Sequence, residues 1–170
     1  ERERVLVCAT SSTIHEWDFD PVDPENWHVK TEFSAELLVD RNQGYGRQPL
    51  SFAYCRSYSR TKIAVGWSDG NIELWQLAFN SSRPTVTLRV HTSSVKSLAV
   101  NPSGTLLASG SNDHRIVVWG LEALNPLADC AILRGLERAV LHVSFPDDKT
   151  VIGHGPDGTV RVWDEFPFID

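Results

Sequence analysis

The chain has 170 residues, 41% of them hydrophobic and 22% charged, with a formal net charge of -6. This is ordinary globular composition, and no run nears the roughly 18 consecutive apolar residues that a membrane helix requires. The acidic balance disfavours a nucleic-acid phosphate backbone as the main partner, because Lys and Arg drive that binding.

In chain order, the first recognisable pattern is residues 7–17 (VCATSSTIHEW), an apolar run, a polar turn and an alternating segment ending in Trp17. Residues 18–31 follow as a loop insertion, with Pro21 and Pro24 set among Asp20, Asp23 and Glu25. The pattern returns three times, at 65–75, 109–119 and 153–163, with Trp75, Trp119 and Trp163 spaced 44 residues apart. Each of these copies turns at an aspartate (Asp69, Asp113, Asp157), where the first copy has Ser11. A fixed period of this length means one supersecondary unit repeated and stacked. The units run approximately over 1–17 (partial), 32–75, 85–119 and 130–163.

The third unit shows the content of a repeat. Residues 85–90, 95–100, 106–109 and 116–119 read as four short strands, separated by turn-forming residues such as Asn101-Pro102-Ser103-Gly104 and Asn112-Asp113-His114. The second unit has a longer first loop (40–49) and a longer middle turn (56–61), where Arg56, Arg60 and Lys62 form a solvated basic cluster. The fold class is therefore all-β, built from antiparallel meanders. Cys8, Cys55 and Cys130 are odd in number and widely spaced, so a zinc site is not supported and a reducing compartment, cytoplasmic or nuclear, is expected. Cys8 and Cys55 lie in apolar strands, as small buried hydrophobes do.

These residues resemble the WD40-repeat family, most closely in His91, Asn101-Pro102-Ser103-Gly104, Leu107-Ala108-Ser109-Gly110-Ser111, Asp113 and Trp119. The resemblance implies a β-propeller of four-stranded blades, here about three full repeats plus part of a fourth. It also implies an offset, with the first strand of each repeat closing the preceding blade. It further implies a buried hydrogen-bond network of His91, Ser109, Asp113 and Trp119. Elsewhere the pattern departs: Val65 and Gly153 stand in the Ser position, Leu136 stands in the His position of the last repeat, and no His precedes the second. A full ring has about seven blades, so this chain is an incomplete ring. It is a piece of a longer propeller, a half that pairs with its own copy, or a piece completed by another protein.

No catalytic residue, metal site or cofactor site is expected. His15, His28, His91, His114, His142 and His154 show no compact metal-ligand spacing, and no phosphate-binding or nucleophile-elbow motif occurs. His154-Gly155-Pro156-Asp157-Gly158 falls in register with the other turns and reads as one. Function is expected to lie on the rim that the resemblance assigns to protein binding, lined by Trp67, Ser68, Thr92, Asn112, Arg115, Glu137, Arg138 and Pro156. Trp67 replaces the small residues found at Ser111 and Gly155. It reads either as an interface anchor or as filler for the missing His and Ser. The expected function is a non-catalytic protein-interaction scaffold in an intracellular complex, the alternative being an interaction or regulatory domain of a larger enzyme.

Overall fold

The computed structural model describes residues 4–9, 13–19, 28–34, 47–56, 61–76, 84–121, 130–164 and 166, the first three segments as backbone strands. It divides into two units, Glu1–Gly46 and Arg47–Asp170. The first holds β1 (Arg4–Ala9), β2 (Thr13–Phe19) and β3 (His28–Ser34), an antiparallel meander with a bulge between Glu16 and Trp17. Strand β2 thus continues through Asp18 and Phe19, and β3 begins at His28, pairing Asp18 with His28. The ends of the expected 18–31 insertion are therefore strand, because the bulge restores alternation on both sides of it. Its prolines lie outside the described residues.

The second unit holds three sheets. The first runs β4 (Pro49–Arg56), β5 (Thr61–Trp67), β6 (Ile72–Gln76) and β7 (Val86–Leu88). The next runs β8 (Val95–Val100), β9 (Leu106–Ser111), β10 (Ile116–Gly120) and β11 (Cys130–Leu133). The last described sheet has β12 (His142–Ser144), β13 (Val151–His154) and β14 (Val160–Trp163). The opening strands of the third and fourth repeats, β7 and β11, pair with β6 and β10 of the sheet before them. The offset between repeat and blade is thus present in both four-stranded sheets. Strands also claim Pro49, Arg56 and Thr61, which the sequence assigns to loops.

The turn before each Trp strand is built the same way three times. Asp69, Asp113 and Asp157 each accept, through Oδ1, the N–H of the residue two positions on (Asn71, Arg115 and Thr159) at 3.0–3.1 Å. The residue after each Asp is left-handed: Gly70 at φ 90°, His114 at 67° and Gly158 at 79°. An Asx turn followed by a positive φ is a local solution that needs no distant partner. It fixes the hairpin register, and the register sorts side chains to opposite faces.

In the middle sheet both faces are buried. Leu107, Val117 and Trp119 face the sheet β4–β7 and join Ile72, Leu74, Leu88, Val95 and Cys55 in one core. Ala108, Ile116 and Val118 face the other way and join Val140, Val143, Val151, Leu133 and Leu136 in a second. Burial pushes the Cys55 thiol up to about 12, only partly offset by Lys62, so it stays an inert core group. Among the described residues no helix is long and apolar enough to cross a membrane.

No atom lies within 4 Å of a Cβ built on Gly158, so substitution there isolates the backbone term. Gly158→Val is expected to cost about 1–2 kcal/mol in urea unfolding, the penalty of a left-handed L-residue. His114→Gly, at the matching position, is expected to lose none.

Candidate functional site

The middle sheet carries a buried polar chain from surface turn to core. His91, on the loop before β8, places Nδ1 3.0 Å from Asp113 Oδ2 and Nε2 2.8 Å from Ser109 Oγ. Trp119 Nε1 donates to the same Ser109 Oγ at 3.0 Å. Burial lowers the His91 pKa against the opposing pull of Asp113. The neutral ring therefore donates Nδ1–H to the carboxylate and accepts the Ser109 hydroxyl proton at Nε2. Burial alone would raise the Asp113 pKa. The Arg115 guanidinium (2.6 Å), the Thr92 N–H (3.0 Å) and His91 outweigh it and hold the carboxyl at about 2. Arg115 also donates to the Val90 carbonyl, tying the turn to the neighbouring loop.

The sheet β4–β7 meets the same demand with charges, which the sequence reading missed. In place of Ser109 it has Val65, and directly across the hairpin from Val65 stands Glu73, 3% exposed. Glu73 Oε2 accepts the Trp75 indole N–H at 3.3 Å, so the acceptor has moved from the second strand to the third. Arg47, just before β4, pairs with Glu73 Oε1 at 2.6 Å and approaches Asp69 at 3.9 Å. The available signal was an acid between the apolar Ile72 and Leu74, two residues before Trp75.

In the last sheet Gly153 stands in the Ser109 position, Arg161 is across the hairpin from it, and Trp163 is only half-buried. A Cβ on Gly153 would collide with Ile116 Cδ1 and stand 3.3 Å from the Trp163 ring and 3.5 Å from Leu136 Cδ1. Leu136 and Ile116 thus fill the volume that His and Ser occupy in the middle sheet.

Trp67 is corrected as a surface anchor. It is fully buried, and the Arg47 guanidinium lies 4.1 Å from its ring centre, a cation–π cover. Its indole N–H has no hydrogen-bond acceptor among the described residues. The ring at the end of β5 thus lies in the interior, with Arg47 over its face, as the filler reading expects.

The remaining rim residues lie on loops joined edge to edge. Ser94 Oγ donates to the Ser68 carbonyl, Asn112 N to the Ser94 carbonyl, and Val140 N to the Ser111 carbonyl. Ser68, Asn112 and Arg115 are half-buried and partly occupied by these bonds, whereas Thr92, Glu137, Arg138 and Pro156 are exposed. Among the described residues no group of three or more His, Cys, Asp or Glu is placed to hold a metal.

The family described as WD domain, G-beta repeat matches residues 82–120 and 130–164. Protein SPA1-RELATED 3 of Arabidopsis thaliana is 30% identical over 104 residues, covering 61% of this chain and 12% of that protein. The Protein LST8 homolog of Drosophila melanogaster is 26% identical over 157 residues, covering 88% of this chain and 45% of that one. A chain in the crystal structure of an active polycomb repressive complex 2 in the basal state superposes with a TM-score of 0.77 at 18% identity. That match covers 98% of this chain and 35% of the other. The chain belongs to the WD40-repeat family and is a partial propeller, spanning less than half the length of each of these relatives.

Asp113→Ala is expected to cost on the order of 2–3 kcal/mol, by stranding His91 and Arg115. Both pKa shifts are downward, so the folded chain binds fewer protons than the unfolded one, and stability falls on acidification. The loss through His91 begins below its ordinary value of 6.5, and the loss through Asp113 between 3.8 and about 2. Urea unfolding across pH should show both limbs, and Asp113→Asn should remove the lower one. In the sheet β4–β7, Arg47→Met alone should cost about 3 kcal/mol by leaving a buried carboxylate unpaired. The double change Arg47→Met with Glu73→Leu should cost less than that single change.

Proposed function

We propose that this chain is a non-catalytic interaction scaffold within a larger intracellular protein assembly, binding other proteins through the rim of loops that precede the Trp strands. The observation that carries the reading is the continuity of that rim. Loops from three sheets are hydrogen-bonded to one another, and they present Thr92, Glu137, Arg138 and Pro156 outward. A polar, exposed ledge on a rigid support is what protein recognition uses. The buried His91 and Glu73 are engaged by Asp113 and Ser109 and by Arg47 and Trp75, which supports a structural role for them.

The relatives support the same reading. Their names include a subunit homologue of chromatin assembly factor 1 in Oryza sativa and an LST8 homolog, and similar folds occur in polycomb repressive complex 2. These favour a nuclear or cytoplasmic complex. A second reading, an interaction or regulatory domain of a larger enzyme, is favoured by length alone, since the chain spans only 12% of SPA1-RELATED 3.

The test pairs affinity capture and mass spectrometry with a rim variant, Glu137→Lys/Arg138→Glu. A stoichiometric partner of the natural chain should bind the variant at least tenfold more weakly, with the melting temperature unchanged. A partner held at full strength by the variant would move recognition off this rim, and catalytic turnover by the isolated chain would overturn the scaffold reading.

A further inference from the structure

The first strands of the three sheets, β4, β8 and β12, lie side by side. At or just before the start of each, one residue is turned out of the packing. In β4 the pairing with β5 slips between Pro49 and Ser51, so Leu50 is the extra residue of a bulge. In β8 the pairing with β9 slips between Val95 and Ser97, so Lys96 is the extra residue there. A bulge re-aims the side chain it inserts. Val95 and Ser97 are buried, while Lys96 between them is exposed. The last described sheet has the matching position at Leu141. Val140 packs on Gly110 as Val95 packs on Gly66, and His142 lies opposite His154 as Ser97 lies opposite Gly110. Leu50 is 37% exposed and Leu141 43%.

Hydrogen bonds between the sheets hold the three positions in one row. Ser51 Oγ donates to the Val95 carbonyl at 3.1 Å, beside both Leu50 and Lys96. The Val143 N–H donates to Ser97 Oγ at 3.1 Å, close to both Lys96 and Leu141. Lys96 has a sheet on either side, so the openness of this position belongs to the strand and not to a missing neighbour. Its ammonium has no ion-pair partner among the described residues. The chain carries a net charge of -6, yet no Asp or Glu lies within three residues of Leu50, Lys96 or Leu141 in sequence. Arg138, just before Leu141, adds a second exposed cation. Asp69, on the turn bonded to Gln48, is already approached by Arg47.

We infer that Leu50, Lys96 and Leu141 form a docking row for a partner peptide that sets an acidic residue between two apolar ones. The inference rests on the scaffold reading above and gives that partner its chemistry. The leucines supply apolar contact at either end, and the ammonium between them attracts a carboxylate and repels a cation. Packed sheets lie roughly 10 Å apart and an extended chain advances about 3.3 Å per residue. About three residues of an extended ligand therefore separate its acid from each apolar contact. Paired strands fix the row before the ligand arrives, so little ordering opposes binding.

The test selects random linear peptides displayed on phage against the full chain and measures the enriched ones by fluorescence anisotropy. They should carry Asp or Glu between two apolar residues and bind more weakly as salt is raised. Lys96→Glu should weaken them at least tenfold, and the same peptide with its acid changed to Lys should regain binding to that variant. Leu50→Ser with Leu141→Ser should weaken them as much, with the melting temperature unchanged in both cases. Failure to enrich any peptide, enriched peptides without an acid, or binding that either variant leaves intact would overturn the row. The rim variant separates this inference from the scaffold reading. A captured partner lost by Glu137→Lys/Arg138→Glu but held at full strength by Lys96→Glu and by the paired leucine change would overturn the row alone.

Discussion

The aspartate turn before the strands of Trp75, Trp119 and Trp163 is the constraint on which the second unit depends. One carboxylate oxygen accepts the N–H two residues on, and the residue between them is left-handed. The turn's defining hydrogen bond and backbone angle lie within its own five residues. Once it closes, hairpin register is fixed, and alternate residues are committed to opposite faces. In the middle sheet this sends Val117 and Trp119 one way and Ile116 and Val118 the other, all buried. A slip of one residue would exchange the two cores.

Around their tryptophans the three sheets of the second unit carry three different chemistries. A deeply placed indole needs an acceptor or an apolar cover, and a volume between turn and core needs filling. The middle sheet uses a neutral His–Ser–Asp chain, the first an Arg–Glu pair, and the last a leucine over a glycine. That the hairpins keep the same turn in all three places most of the stability in packing, with the polar groups adding specificity and acid sensitivity. Buried polar groups satisfied in this way cost little. Broken ones cost several times more.

The same loops that close these networks form the proposed rim, so stability and the proposed recognition surface share residues. Asp113 shows the connection: its carboxylate binds Thr92 N–H, His91 and Arg115 at once. The exposed Thr92 is thereby held by a buried acid. A surface positioned by interior bonds loses little freedom when a partner arrives, which suits a scaffold.

The sequence by itself determined the period, the all-β class and the turns, because each rests on local chemistry or on repetition, while the His–Ser–Asp–Trp chain was implied by the resemblance to a family. Trp67 shows where that legibility stops. Its size suited either an interface anchor or a filler for the missing His and Ser, and only the folded chain shows it in the interior with Arg47 over its face. Glu73 and Arg47, 26 residues apart, and His142 and His154, on separate strands, became neighbours only through strand pairing. Register and the contact of sheet with sheet decide which distant side chains share a space, and no local spacing in a single sequence encodes that.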